Sequence, residues 1–139
     1  MVKGLNHITL AVRDVEESCR FYTDVLRCRL IARWARGAYL VAGDVWIALI
    51  LDPKTRPAAL PEYTHIAFSL DDSDFPAVSQ RICDSGARIW KENESEGASL
   101  YFEDPNGHKL EVHVGDLRSR LADVRQNPWP GLEILDPNV

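Results

Sequence analysis

An α+β fold made of two βαβββ modules is predicted by three features of the sequence. The segment Asn6-His7-Ile8-Thr9-Leu10-Ala11-Val12 is echoed by Thr64-His65-Ile66-Ala67-Phe68-Ser69-Leu70. Each copy runs into an Asp-containing turn and then a stretch with helical periodicity. Each of those stretches is followed by three short strand-like runs. The order strand, helix, strand, strand, strand therefore occurs twice. Module one occupies residues 4–51, a linker 52–62, module two 63–115, and a C-terminal helix and tail 116–139. With 139 residues, 45% of them hydrophobic and 27% charged, the chain is sized for one compact unit with a real core.

The first helix is expected to start at Asp14, whose carboxylate can cap, with Glu17 three residues on. Val15, Ser18, Cys19, Tyr22, Val25 and Leu26 give it a buried stripe. The second should start at Asp72 or Ser73, bury Phe75, Val78, Ile82 and Cys83, and stop at Gly86. Strands are expected over residues 29–34, 38–41 and 45–51 in the first module, and 88–91, 99–103 and 109–114 in the second. Pro53, Pro57 and Pro61 mark residues 52–62 as an exposed linker. A third helix over 116–126 has Leu117, Leu121 and Val124 as its apolar stripe, and Asn127-Pro128-Trp129-Pro130-Gly131 ends it.

Composition narrows the partners. A net charge of -5 excludes a general nucleic-acid binder, which needs a basic surface to neutralise phosphates. The longest apolar run, around residues 38–51, is broken by Gly43-Asp44 and is too short to span a bilayer. No signal-type apolar block opens the N-terminus. Cys19, Cys28 and Cys83 are odd in number and read as reduced thiols of a cytoplasmic protein.

The chemistry concentrates in residues 91–114, KENESEGASLYFEDPNGHKLEVHV. A polar loop leads into a strand, a tight Asp-Pro-Asn-Gly turn and a returning strand. Period 2 puts Leu110, Val112 and Val114 on one face of that last strand and Lys109, Glu111 and His113 on the other. His7 and His65 occupy matched positions in the two repeats. With a strand carboxylate as third donor they make a metal site with coordination positions left open, suited to Lewis-acid chemistry by Mn, Fe, Mg or Zn. A lone strand histidine is commonly a hydrogen-bonded structural residue; the matched pair with a carboxylate is what points to a metal. Periodicity leaves Glu111 and His113 both open as the third ligand. His108, in the turn, is expected to be solvated.

The double module with strand-borne His, His and Glu resembles the vicinal oxygen chelate superfamily. Within it GLNHITLAV, GAYLVAGDVWIAL, YTHIAF, KENESEGASLYFEDPNGHKLEVHVGDLRSRLA and the Asn-Pro-Trp-Pro-Gly tail resemble the glutathione-using fosfomycin-resistance transferases of the FosA type. The resemblance implies a domain-swapped type of homodimer with His7 of one chain meeting His65 and Glu111 of the other. It implies Mn2+ on His7, His65 and Glu111. It implies phosphonate contacts from Thr9, Lys91, Ser95, Ser99, Tyr101 and Arg120, and Trp46 lining the pocket. Tyr39 is implied to help the incoming thiol ionise. A K+ ion would sit in the loop of Asn93, Ser95, Glu96, Gly97 and Ser99. Thr9, Tyr39, Lys91 and Arg120 would carry the catalysis, with fosfomycin and glutathione as the two substrates.

Other readings of the same cleft are a fosfomycin epoxide hydrolase, a transferase using L-cysteine or bacillithiol, and a metal-free drug-binding dimer. Related hydrolases carry a Glu shortly before the strand that starts here at Ala38, whereas this chain has Arg36 and Gly37 there. No carboxylate occurs between Arg29 and Val41. Two departures concern the thiol: Glu94 stands where relatives often carry a basic residue, and Ile50 where they carry a small polar one. Arg33 or Arg36 is expected to compensate for Glu94.

Overall fold

A computed structural model describes residues 1–139. In chain order the elements are β1 (His7–Val12), α1 (Val15–Arg20), a π-helical turn (Phe21–Val25), β2 (Arg29–Trp34), β3 (Gly37–Ala42) and β4 (Val45–Leu51). They continue as β5 (Ile66–Ser69), α2 (Phe75–Asp84), β6 (Ile89–Lys91), β7 (Ser99–Glu103), β8 (Lys109–His113) and α3 (Leu117–Gln126). Two four-stranded sheets result, in the orders β1-β4-β3-β2 and β5-β8-β7-β6. In each, the first strand pairs parallel with the last, and the other pairings are antiparallel. The parallel pairing requires a crossover, and α1 or α2 supplies it.

Alternation explains which face each sheet buries. Leu10 and Val12 of β1, Ala38 and Leu40 of β3, and Ile47 and Leu49 of β4 lie in the core. Phe102 of β7 and Leu110 and Val112 of β8 do the same for the second sheet. Together with Cys19, Phe21, Tyr22, Val78 and Ile82 they form one continuous core shared by both modules. The opposite faces, which carry the candidate site residues, therefore point away from it.

The helix ends follow from sequence chemistry, with three differences. Asp14 caps α1 by accepting from the Glu17 amide, and Asp116 and Ser119 cap α3 reciprocally. The helix α2 starts at Phe75, later than Asp72 or Ser73, with Pro76 in its first turn where the missing N–H costs nothing. Cys83 is exposed, not buried, because the stripe that meets the core is Val78 and Ile82. Leu117 is also exposed, leaving Val124 as the buried anchor of α3.

The largest difference is the Asp104–His108 turn. His108, expected in solvent, is buried, and its Nε2 bonds the Ala11 carbonyl at 2.8 Å. Asn106 donates to Ser18 Oγ at 2.9 Å and accepts from the Arg13 amide at 3.0 Å. Tyr22 donates its hydroxyl to Asp104 Oδ2 at 2.8 Å, while Asp104 Oδ1 accepts from the Asn106 and His108 amides. The turn of module two is thus a plug seated in module one. Gly107 (φ 80°) lies so close to the linker that a Cβ there would stand 2.5 Å from the Ala59 nitrogen. Much of the linker is exposed, but Arg56 and Glu62 give their carbonyls to Arg13 and Lys109.

Candidate active site

The exposed face of the first sheet follows from its register. His7 pairs with Trp46, and Thr9 with Ala48, which pairs in turn with Tyr39. These residues share one face with Ile50, and their rings form a wall. His7 lies 4.5 Å from Trp46 between centroids, Trp46 lies 5.1 Å from Tyr39, and Tyr39 lies 4.9 Å from Trp34. Gly37 makes room for Trp34, since a Cβ there would come within 2.6 Å of the indole.

On the second sheet Glu111 sits at the centre, paired with Tyr101 on one side and Ala67 on the other. His65 lies one residue before β5, in phase with Ala67. Its Nε2 is 3.0 Å from Glu111 Oε2. Glu111 is therefore the side chain that faces His65. His113 turns the other way, its Nδ1 2.7 Å from Ser99 Oγ, and Ser99 Oγ is 2.7 Å from Glu111 Oε1. Tyr63, Trp90 and Tyr101 enclose the His65 ring at centroid distances of 5.1, 5.4 and 5.8 Å.

The protonation pattern tests whether these side chains suit a metal. His65 Nδ1 lies 2.8 Å from the Tyr63 carbonyl, an acceptor that demands the proton there. Its Nε2 then stands 3.0 Å from a carboxylate oxygen, a spacing that either a proton on Nε2 or a shared metal ion satisfies. His7 repeats the device, with Nδ1 2.7 Å from Asn6 Oδ1, so its Nε2 is also left as a donor atom for a metal. Two ligand atoms bound at right angles about 2.1 Å from one ion stand about 3 Å apart, which matches the His65–Glu111 spacing. The donor set fits a divalent ion. Within a single chain, however, no three His, Cys, Asp or Glu side chains gather, because His7 belongs to the other sheet. Asn6 and Tyr63 escaped the sequence reading. The signal available for both was a polar or aromatic neighbour within two positions of each repeat histidine.

The cations lie around this centre. Lys91 Nζ stands 5.5 Å from the centroid of Tyr101 and 3.5 Å from Glu94 Oε2. Arg120 Nε is 3.9 Å from Glu96 Oε2, a buried carboxylate oxygen with no hydrogen bond. In the 93–99 loop, Asn93 Oδ1 accepts from the Ser95 amide and hydroxyl at 3.0 Å each, and Asn93 Nδ2 donates to the Gly97 carbonyl. The loop is folded on itself, with Glu96 Oε2 facing Arg120 but without a hydrogen bond. Arg33 does not face Glu94, because its guanidinium donates to Glu16 Oε2 at 2.6 Å. Arg36 makes only a long contact of 3.5 Å with the Leu51 carbonyl.

None of the cysteines suits a nucleophile's role beside these faces. Burial pushes the Cys28 thiol up to about 11 and raises Cys19 as well, and Cys83 lies on α2.

The profile of the Glyoxalase/Bleomycin resistance protein/Dioxygenase superfamily matches residues 4–112. The chain belongs to this superfamily. Its two four-stranded sheets with crossover helices are the vicinal oxygen chelate fold. Within the superfamily it groups with the Fos proteins. It is 48% identical to the glutathione transferase FosA of Serratia marcescens over 95% of each chain. It is 40% identical to the metallothiol transferase FosB of Shouchella clausii, over 88% of this chain and 87% of that one. It superposes, with a TM-score of 0.76 and 29% identity, on the fosfomycin resistance protein FosX of Listeria monocytogenes complexed with Mn(II) and sulfate. That match covers 88% of this superfamily member and 98% of FosX.

Proposed function

We propose that this chain is a metal-dependent transferase that opens the epoxide of fosfomycin by adding glutathione, and so confers resistance to the drug. The observation that carries the reading is the His65–Glu111 pair, whose Nε2 and Oε2 face each other at 3.0 Å with His65 Nδ1 committed to the Tyr63 carbonyl. Thiol transfer by the FosA and FosB relatives, and the Mn(II) held by FosX, support it. His7, His65 and Glu111 would hold Mn2+. An ion held there would supply Lewis acidity for the negative charge that develops on the epoxide oxygen.

The chain's own side chains do the rest. Lys91 and Arg120 neutralise the phosphonate, with Thr9, Ser95 and Tyr101 offering hydroxyls to its oxygens and Ser99, whose proton is held by Glu111, lying beside them. That grip fixes the ring so that sulfur attacks opposite the breaking bond. A thiol of ordinary acidity is mostly protonated at neutral pH. Tyr39, held between Trp34 and Trp46, donates its hydroxyl to the sulfur and favours the thiolate. Trp46 closes the apolar side of the pocket. The loop of Asn93, Ser95, Glu96, Gly97 and Ser99 would take K+ at the Glu96 oxygen that lacks a hydrogen bond, once Asn93 releases its internal bonds. The working form is a homodimer acting in the cytoplasm, since His7 and the His65–Glu111 pair lie on faces that one chain keeps apart. Its two buried free thiols fit a reducing compartment.

Mass spectrometry of fosfomycin incubated with the protein, Mn2+ and, in turn, glutathione, L-cysteine, bacillithiol or water alone tests this reading. The glutathione adduct is expected, with no diol formed from water. A diol would make the protein a hydrolase. The absence of any carboxylate between Arg29 and Val41 argues against that, because water needs a base. Unchanged fosfomycin in every arm would leave only drug binding.

A further inference from the structure

The face of Glu111 turned away from His65 is braced by a residue that the reaction above does not use. His113 shares the Glu111 face of β8, and its ring stands in a slot walled by two glycines. A Cβ on Gly97 would lie 2.9 Å from His113 Cε1, and one on Gly115 would lie 2.9 Å from both His113 Nε2 and Ser119 Oγ. Both glycines have φ in the left-handed region, 80° and 133°, so the slot is closed to other residues twice over. The imidazole is only 16% exposed. It touches three segments at once: the polar loop through Gly97, the start of α3 through Gly115, and Ser99 through Nδ1.

Ser99 Oγ lies 2.7 Å from both His113 Nδ1 and Glu111 Oε1, and a hydroxyl has one proton. The carboxylate is the stronger acceptor, so Ser99 donates to Glu111 and accepts from the Nδ1–H of His113. We infer that His113 is a positioning residue that acts through Ser99. It fixes the serine hydroxyl on Glu111 Oε1, and so presents Oε2 as the oxygen that meets His65 and a metal. The inference rests on the metal reading of His65 and Glu111, but not on the identity of either substrate. Packing alone would need only a ring of this size. The relay needs a donor at the Nδ1 position.

The test uses the full dimeric chain stripped of metal, and reads Mn2+ affinity by the electron paramagnetic resonance of free Mn2+. Thermal unfolding of the metal-free protein and the split between kcat and KM for fosfomycin are read alongside. His113→Phe fills the slot without a donor. His113→Asn places an amide N–H where Nδ1 stood. The expected result is Mn2+ binding weakened about tenfold or more in His113→Phe and within about threefold of the parent in His113→Asn, the usual range for an outer partner of a metal ligand. The loss should appear in kcat with little change in KM. Should His113→Phe fail to fold, Ser99→Ala carries the same expectation for Mn2+ affinity in the metal-stripped protein. Equal Mn2+ affinity in the parent, His113→Phe and Ser99→Ala would overturn the relay while leaving the transferase reading intact. Equal weakening in His113→Phe and His113→Asn, with matching losses of thermal stability, would reduce His113 to packing. A parent protein that binds no Mn2+ would overturn both readings.

Discussion

At the scale of single residues, the departures from the Fos pattern become physical at Glu94. Its carboxylate stands 3.5 Å from Lys91 Nζ, the cation proposed to meet the phosphonate. Glu94 is 85% exposed and Lys91 only 24%, so the pair is a surface contact against a half-sheltered charge. On the proposed reading, a phosphonate at Lys91 competes with this contact, and a glutathione carboxylate near position 94 meets a like charge. Arg33, which could have offset this, is held by Glu16 and faces α1 instead. Glu94→Arg is therefore expected to lower KM for glutathione about twofold to fivefold, the range an exposed charge pair supports, with kcat nearly unchanged. Steady-state kinetics at low and high ionic strength check this, because the advantage should shrink as salt screens the rim. An unmoved KM would remove position 94 from the thiol site.

At the scale of elements, the Asp104–His108 turn decides how one module holds the other. Tyr22 is fully buried, and burial, followed by the adjacent Asp104 carboxylate, raises its hydroxyl well above the ordinary 10.0. The folded state thus keeps a proton that the unfolded chain loses. This contribution to stability is complete below pH 10 and is lost progressively as pH rises beyond it. Cys28, raised from 9.0 to about 11, adds a loss confined to that lower window. Tyr22→Phe should be less stable at neutral pH by about 1.5–3 kcal/mol, the worth of a hydrogen bond to a charged group. It should also lose stability less steeply than the parent above pH 10. Denaturant titrations at pH 7 and from pH 9 to 12 check both statements. This interlock was invisible in the sequence for a definite reason. The repeat, the caps at Asp14 and Asp116 and the alternation of β8 are local patterns, readable within a few residues. The partners of Asn106 and His108 are Ser18, Arg13 and Ala11, in the other module, and nothing local to an Asp-Pro-Asn-Gly turn reveals them. Cys83 was misplaced for a related reason, since helical periodicity gives a stripe but not its width. Among candidate site residues, His7 and His65 were legible through the repeat, and Glu111 only as one of the polar residues on one face of β8. Periodicity leaves Glu111 and His113 together because both lie on one face; in the structure Glu111 is the one that meets His65, while His113 meets Ser99.

At the scale of the whole molecule, the two candidate faces pose one question. The shared core takes the inner face of each sheet, so His7, Thr9, Tyr39 and Trp46 look away from it on one side. His65, Glu111 and Tyr101 look away on the other. Trp34, Tyr39 and Tyr63 are left exposed on these faces, more large apolar side chains than a sheet surface in water favours. Both β1 and β5 are also edge strands, with one side unpaired. A second copy related by two-fold symmetry would cover the apolar surface and bring His7 of one chain to His65 and Glu111 of the other. The arrangement makes a quantitative prediction for mixed protomers. His7→Ala and Glu111→Ala homodimers should each be inactive and bind Mn2+ poorly. When the two chains are co-expressed in equal amounts, roughly half of the dimers are mixed under random pairing. Each mixed dimer then has one site carrying both lesions and one site carrying neither. Activity and tight Mn2+ sites should recover to roughly a quarter of the parent value. If instead each chain completed its own site, every site in the mixture would carry one lesion and nothing would recover. Purifying the mixed dimer with two different affinity tags and counting its tight Mn2+ sites separates the two cases: one per dimer for shared sites, none for self-contained ones.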